Sequence, residues 1–164
     1  MQAEFFRRTD TPSYKISKAE FNYNFLCAQR NNLTTSYHTH DYYEIALVSK
    51  GRCRHLVEEE ESVLSCGDLV FVRDRDRHML SPFSENEEYQ LHNLSISKEV
   101  FTLLMGYLGD SFDFSELFAA SAPTVVKLSP ADNEYVTRKM QYLGANVNRG
   151  SETVNRIGKS FFSV

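Results

Sequence analysis

The sequence predicts a mainly β chain that ends in helices. Three observations carry this. Short apolar or alternating segments bounded by turn residues recur from residue 14 to residue 96. After Ser97 the apolar spacing changes from every second residue to a helical period. At 164 residues the chain suits one domain with a sizeable core. Several short strands followed by helices imply a β-barrel or sandwich with an appended helical part.

Residues 1–12 read as an irregular arm, with Phe5 and Phe6 as anchors. Strands are expected over 14–16 and 22–29; in the second, Tyr23, Phe25 and Cys27 alternate with Asn24, Leu26 and Ala28. Asn31 and Asn32 signal a turn. Residues 37–48 form the next expected strand, bent at Asp41, and 49–51 turn the chain. Residues 52–58 alternate, placing Cys53, His55 and Val57 on one face, and 62–64 return. The acidic run Glu58, Glu59, Glu60, Glu61 reads as the solvated hairpin tip, because adjacent like charges repel and resist burial. Gly67 turns into a continuous apolar strand over 68–72, expected to be buried on both faces. The charged loop 73–77 delivers His78, 81–88 is a loop rich in turn residues, and 89–96 is a strand.

Ser97 can cap a helix that starts at Lys98, with Glu99 well placed against the helix dipole. Its apolar stripe is Val100, Phe101, Leu104, Tyr107 and Leu108, and Gly109 suits the stop. One helical turn is expected over 115–119 and a short strand over 124–128. Ser129 and Pro130 then open a second helix, with Val136, Met140, Leu143 and Val147 on one face. Gly150 ends it. A third helix carries Val154, Ile157, Phe161 and Val164 on one face and breaks off without a stop signal, which reads as a fragment of a longer protein.

The net charge of −4 offers no basic field for nucleic acid, so this piece is not expected to bind DNA itself. Cys27, Cys53 and Cys66 are odd in number and widely spaced, which fits reduced thiols in a cytoplasmic protein. The first twelve residues contain no apolar signal run, and no stretch reaches the length of a membrane span. Nucleophile-elbow, P-loop and dinucleotide fingerprints are all missing.

The chemistry concentrates in H-T-H-D-Y-Y-E at 38–44. On one strand, His38, His40 and Glu44 share a parity and so a face. Two imidazoles and a carboxylate converging there suit a divalent cation, with His78 as a fourth donor. This donor set accommodates zinc, nickel, iron or manganese, and it leaves a structural and a ligand-contacting role both open. Tyr42 has the same parity and is a candidate to line a cavity. His55 reads as a strand-surface or core histidine. Arg73, Arg75 and Arg77, alternating with Asp74 and Asp76, read as a salt-bridged loop.

The spacing of His38, His40, Glu44 and Gly51 resembles the first cupin motif, and Gly67 with His78 resembles the second. The chain has Asn32, Arg73, Arg75 and Pro82 where those motifs have Gly, Pro, Gly and Asn. The resemblance implies a cupin-type double-stranded β-helix, or jelly roll, whose three histidines and glutamate hold a metal. From about residue 37 to 98 the pattern is similar to the sensing domain of AraC-type transcription regulators, most of all the branch that senses chitooligosaccharides. That likeness implies an effector barrel with its arm over 1–96 and a helical dimerisation and linker region over 97–164. It also implies a homodimer, a small-molecule effector that is a sugar or oligosaccharide, and DNA contacted only through a helix-turn-helix domain outside this chain. By the same likeness Asn93, whose parity is opposite to that of His92, lies on the strand that runs along the sensing pocket. The alternative is a small metal-dependent cupin enzyme, a dioxygenase or isomerase using the same ligands.

Overall fold

Strand β4 (Tyr43–Lys50) lies at the centre of the molecule, and its sequence explains why. In this computed structural model, which describes residues 13–14, 21–28, 34–84 and 86–147, β4 is flanked on both sides by other strands. Its even residues Ala46 and Val48 enter one apolar cluster, while Tyr43, Ile45 and Leu47 enter another on the opposite face. A strand covered on both faces needs apolar residues at both parities, and Ile45, Ala46, Leu47 and Val48 supply them.

The main sheet has the order β10 (Thr124–Lys127), β7 (Asp68–Val72), β4, β9 (Tyr89–Ile96), β2 (Phe21–Ala28). All four of its pairings are antiparallel. Opposite it lies a three-stranded sheet, β6 (Glu60–Ser65), β5 (Arg52–Val57), β8 (His78–Pro82). A short parallel pair joins β1 (Ser13–Tyr14) to β3 (Thr39–His40). Between the two main sheets sit Val48, Cys53, Leu64, Val70, Val72, Leu80, Tyr89 and Leu91. This is the mainly β, cupin-type jelly roll with helices after it that the sequence predicts.

Gly51 makes the β4–β5 turn possible. Its φ is +69°, and a Cβ there would stand 2.0 Å from the backbone oxygen of Glu88. Only glycine meets both conditions.

The expected strand over 37–48 is in fact two. The chain bends at Asp41 and Tyr42, so β3 and β4 are separate strands. The acidic tip is also smaller than expected: Glu60 and Glu61 pair with Val57 and Leu56, leaving Glu58 and Glu59 as the turn. Strand β8 carries no clear sequence signal, being five residues long and ending in Pro82. The charged loop does form its ion pair, but inside the protein. Arg73 is 2% exposed, and its Nη2 and Nε donate to Asp76 at 2.7 and 2.9 Å. Its Nη1 donates to the carbonyl of Ala120, tying this loop to the helical region.

Helix α1 (Lys98–Leu108) begins as predicted, with Ser97 Oγ accepting from the Val100 amide, and Gly109 ends it. Its stripe is shorter than predicted. Phe101 is buried and Val100 and Met105 pack beside it, but Tyr107 and Leu108 are exposed. The reason is an aromatic cluster of Tyr43, Phe71, Phe101 and Phe118, which holds the first turns of α1 to the sheet. A 3-10 turn (Gly109–Ser111) and α2 (Ser115–Ala119) follow. Strand β10 then adds an edge to the main sheet, so the region after residue 97 is not wholly separate from the barrel.

Helix α3 (Pro130–Val147) is opened by Ser129, whose Oγ accepts from the Asp132 amide. Met140 and Leu143 are buried against the outer face of the main sheet, with Val136 beside them. The predicted stripe therefore faces its own barrel and is not a free interface. The Val147 side chain, the third helix with Val154, Ile157, Phe161 and Val164, the arm with Phe5 and Phe6, and the turn at Asn31 and Asn32 lie outside the described residues.

Candidate metal centre and adjoining pocket

Four strands deliver the site. His40 ends β3, Glu44 lies on β4, His78 begins β8 and Asn93 lies on β9. Glu44, Ala46 and Val48 share the inward parity of β4, so the carboxylate enters the space between the sheets at one end of the apolar core. All of His40, Glu44 and His78 are buried, at 2%, 5% and 2% exposure.

Their donor atoms lie within 4.8 Å of one another. Glu44 Oε2 stands 3.6 Å from His40 Nε2 and 3.6 Å from His78 Nε2. The other carboxylate oxygen, Oε1, accepts from Asn93 Nδ2 at 3.0 Å, which fixes the plane of the carboxyl group. His40 Nδ1 donates to the Tyr42 carbonyl at 2.7 Å. In the neutral ring Nε2 then holds a lone pair.

Burial keeps these rings neutral. It pulls His40 below the usual imidazole range, with Glu44 working partly against it, and it pulls His78 well below that range, helped by the neighbouring His38, His55 and His40. His40 Nε2, His78 Nε2 and Asn93 Oδ1 are all buried without a hydrogen-bond partner. An unpartnered buried polar atom is costly, and here two ring nitrogens face a carboxylate oxygen. A cation between them would give each of these atoms a partner. Two atoms each about 2.1 Å from one ion can be at most about 4.2 Å apart, and the two 3.6 Å separations satisfy that limit. The donor set thus fits a divalent transition metal such as zinc, nickel, iron or manganese.

His38 stands beside this cluster, outside its tightest group. Its backbone bridges that of His78, its ring centroid is 4.5 Å from that of His78, and its Nδ1 donates to the Ser36 carbonyl at 2.7 Å. His38 lies just before β3, and the bend at Asp41 and Tyr42 separates β3 from the strand that carries Glu44, so strand parity alone does not decide His38's distance.

A pocket of about 320 Å³ opens next to the cluster. Its lining includes His38, Glu44, His78 and Asn93 from the sequence reading. Asn24, Thr35, Ser36, Leu26, Leu80 and Leu91 were not singled out there. Asn24 and Leu26 had a legible signal in their shared parity on β2; nothing in the sequence marks Thr35 or Ser36. Tyr42 does not join the lining. Its ring stacks on His40, with centroids 4.4 Å apart and planes 12° apart. His55 is buried and bonded to a site residue, His78. His92 faces away from the pocket and meets the Tyr23 hydroxyl through Nδ1 at 2.8 Å.

The AraC-like ligand binding domain model matches residues 25–138, more than half of the chain. The chain belongs to that family. Among curated proteins, the HTH-type transcriptional activator RhaR of Cronobacter sakazakii is 33% identical over 57 residues, covering 35% of this chain and 19% of RhaR. RhaS of Pectobacterium carotovorum is 43% identical over 42 residues, covering 26% of this chain and 15% of RhaS. Neither is described as a chitooligosaccharide sensor. The match thus spans less than a fifth of each activator's length. Among solved structures, an apo ToxT variant from Vibrio cholerae superposes with a TM-score of 0.60 at 15% identity, covering 88% of this chain and 55% of ToxT. ToxT bound to (E)-4-(8-methylnaphthalen-1-yl)but-3-enoic acid gives a TM-score of 0.58 at 12% identity, with the same coverage. These likenesses establish the shared fold.

Proposed function

We propose that this family member senses a hydroxyl-rich small molecule, a mono- or disaccharide, on behalf of a cytoplasmic AraC-type transcription regulator. The observation that carries this reading is the lining of the pocket. Asn24, Asn93, Thr35 and Ser36 offer neutral donors and acceptors around three leucines, and among the described residues no lysine or arginine lines the cavity. Such a wall can meet several sugar hydroxyls at once, while the leucines cover the apolar faces of the ring. The volume of about 320 Å³ lies at the small end of the usual range of about 300–1,000 Å³, which favours a short sugar over a long oligosaccharide.

In this reading His40, Glu44 and His78, with His38 beside them, hold a divalent cation that forms one wall of the pocket. When bound, the cation supplies a Lewis-acidic contact for a hydroxyl. Asn93 orients Glu44 and presents Oδ1 to the ligand. Tyr42 supports His40 by stacking and does not touch the ligand. The ligand favours one conformational state of the domain. Residues 97–164 pass that preference to a DNA-binding domain outside this chain, in a homodimer matched to paired half-sites. Since Met140 and Leu143 face their own barrel, a dimer built on α3 uses the opposite face, where Tyr135 and Tyr142 are exposed. The RhaR and RhaS likenesses support a regulator over a metal-dependent cupin enzyme.

Thermal unfolding of the zinc-loaded chain against a panel of sugars tests this. A ligand at 100 times its Kd adds about 2.7 kcal/mol, which in a domain of this size raises Tm by roughly 5–10 °C. Asn93→Leu should abolish that rise. A shift from unsaturated fatty acids or other carboxylic acids alone would discard the sugar, and turnover of a panel sugar would favour the enzyme.

A further inference from the structure

The three histidines around Glu44 are not held alike. His38 and His40 each donate Nδ1–H to a main-chain carbonyl, at 2.7 Å in both cases. A carbonyl only accepts, so the ring nitrogen must carry the hydrogen, and the tautomer is fixed by the backbone. Among the described residues, no carbonyl meets the His78 ring in this way. Its Nδ1 meets Nε2 of His55 at 3.2 Å.

An imidazole nitrogen either donates or accepts, so this contact alone leaves two arrangements. In one, His55 Nε2 donates to His78 Nδ1. The hydrogen of His78 then sits on Nε2, and no cation can bind there. In the other, His78 Nδ1 donates to His55 Nε2, and His78 Nε2 is bare toward Glu44. The position of one hydrogen on His55 therefore decides whether His78 is a ligand.

The fold puts His55 there by register. On β5, Cys53, His55 and Val57 face inward; His55 pairs with Leu80 and Val57 pairs with His78. His55 and His78 are thus diagonal neighbours on the inner face, close enough for ring-to-ring contact. Both are 2% exposed, and their rings meet edge to face with centroids 5.4 Å apart. Water has little access to supply a substitute partner.

We propose that His55 is a positioning residue for the metal centre: held with its hydrogen on Nδ1, it accepts from His78 Nδ1 and thereby turns the His78 Nε2 lone pair toward Glu44. The proposal rests on the metal reading above and adds that a residue which never touches the ion sets its affinity. A partner of this kind is generally worth about 10–100-fold in metal affinity.

Two measurements test it on the purified 1–164 chain. The first needs no metal. Nitrogen-15 imidazole shifts of the chelator-treated protein should show His78 protonated on Nδ1 and bare on Nε2. In His55→Phe, which offers no acceptor, a substantial Nε2–H population should appear. The second is Zn²⁺ titration by calorimetry. His55→Phe should bind Zn²⁺ about 10–100-fold more weakly, while His55→Gln, whose side-chain carbonyl can accept from His78, should recover most of that loss. Circular dichroism confirms folding of both variants, and if His55→Phe does not fold, the wild-type tautomer and the His55→Gln affinity decide. A wild-type His78 protonated on Nε2 overturns the proposal, as does a folded His55→Phe with unchanged Zn²⁺ affinity. A wild-type chain that shows the expected tautomer but takes up no Zn²⁺ overturns the metal reading, and with it the role given to His55.

Discussion

Replacing Gly144 by alanine sets two effects of opposite sign against each other. Gly144 lies inside α3, where glycine costs about 1 kcal/mol relative to alanine. On propensity alone, Gly144→Ala should stabilise by that amount. The tertiary structure reverses the expectation. A Cβ at 144 would stand 2.0 Å from Tyr23 Cδ1 and 2.4 Å from Cε1, against an ordinary carbon contact of about 3.5–4.0 Å. About 1.5 Å of movement is needed. Tyr23 cannot easily provide it, because its hydroxyl is bonded to the buried His92 at 2.8 Å. The alternative is to lift α3 from the sheet, which opens the contacts of Met140 and Leu143. Overpacking of this kind costs about 1–3 kcal/mol. The net effect is a loss of roughly 0–2 kcal/mol. Urea unfolding followed by circular dichroism measures it, and a double-mutant cycle supplies the decisive sign. In a Tyr23→Ala background the ring is gone, and Gly144→Ala should become stabilising by up to about 1 kcal/mol. A stabilising Gly144→Ala in the wild-type background would refute the close packing of α3 on β2.

Two further outcomes follow from burial. In chelator-treated protein, acid should destabilise well before carboxylates titrate. Burial pulls His55 down to about 4 from an unfolded value near 6.5, so between those pH values the unfolded chain holds a proton that the native one does not. Stability is therefore retained above about pH 6.5 and lost as pH falls toward 4, by about 3 kcal/mol from His55 alone, with His40 and His78 acting in the same direction. Urea midpoints that stay level from pH 7.5 to 4.5 would contradict a buried neutral cluster. Met140→Ala should cost about 2–5 kcal/mol, independent of protein concentration, because this side chain is core within one chain. A loss that diminishes at high concentration would instead place Met140 at an interface between copies.

Much of the β framework was legible because its signals are local. The apolar run 68–72, the alternation of β2 and the segment 89–96 each state their period within a few residues, and Ser97 and Ser129 announce their helices by a cap that the next turn satisfies. The spacing of His40, Glu44, Gly51 and His78 was also readable, and the bridge to family and metal chemistry came through it. What the sequence left open depends on neighbours distant in the chain. Strand β8, His-Met-Leu-Ser-Pro, has no apolar run like that of β7 and is held in place by its pairing with β5. The stripe of Met140 and Leu143 looks the same whether it meets a second copy or its own sheet; only the position of β2, β4 and β9 beneath α3 decides. Parity alone puts the expected ligands His38, His40 and Glu44 and the expected cavity residue Tyr42 on one face, but in the folded chain Tyr42 stacks on His40 and His38 stands beside the cluster. His55 reads as an ordinary inward residue until the register of β5 on β8 brings its Nε2 to His78. Local periodicity names the face a side chain occupies. Which atom it meets there is set by pairings between strands more than twenty residues apart, and those pairings exist only in the folded chain.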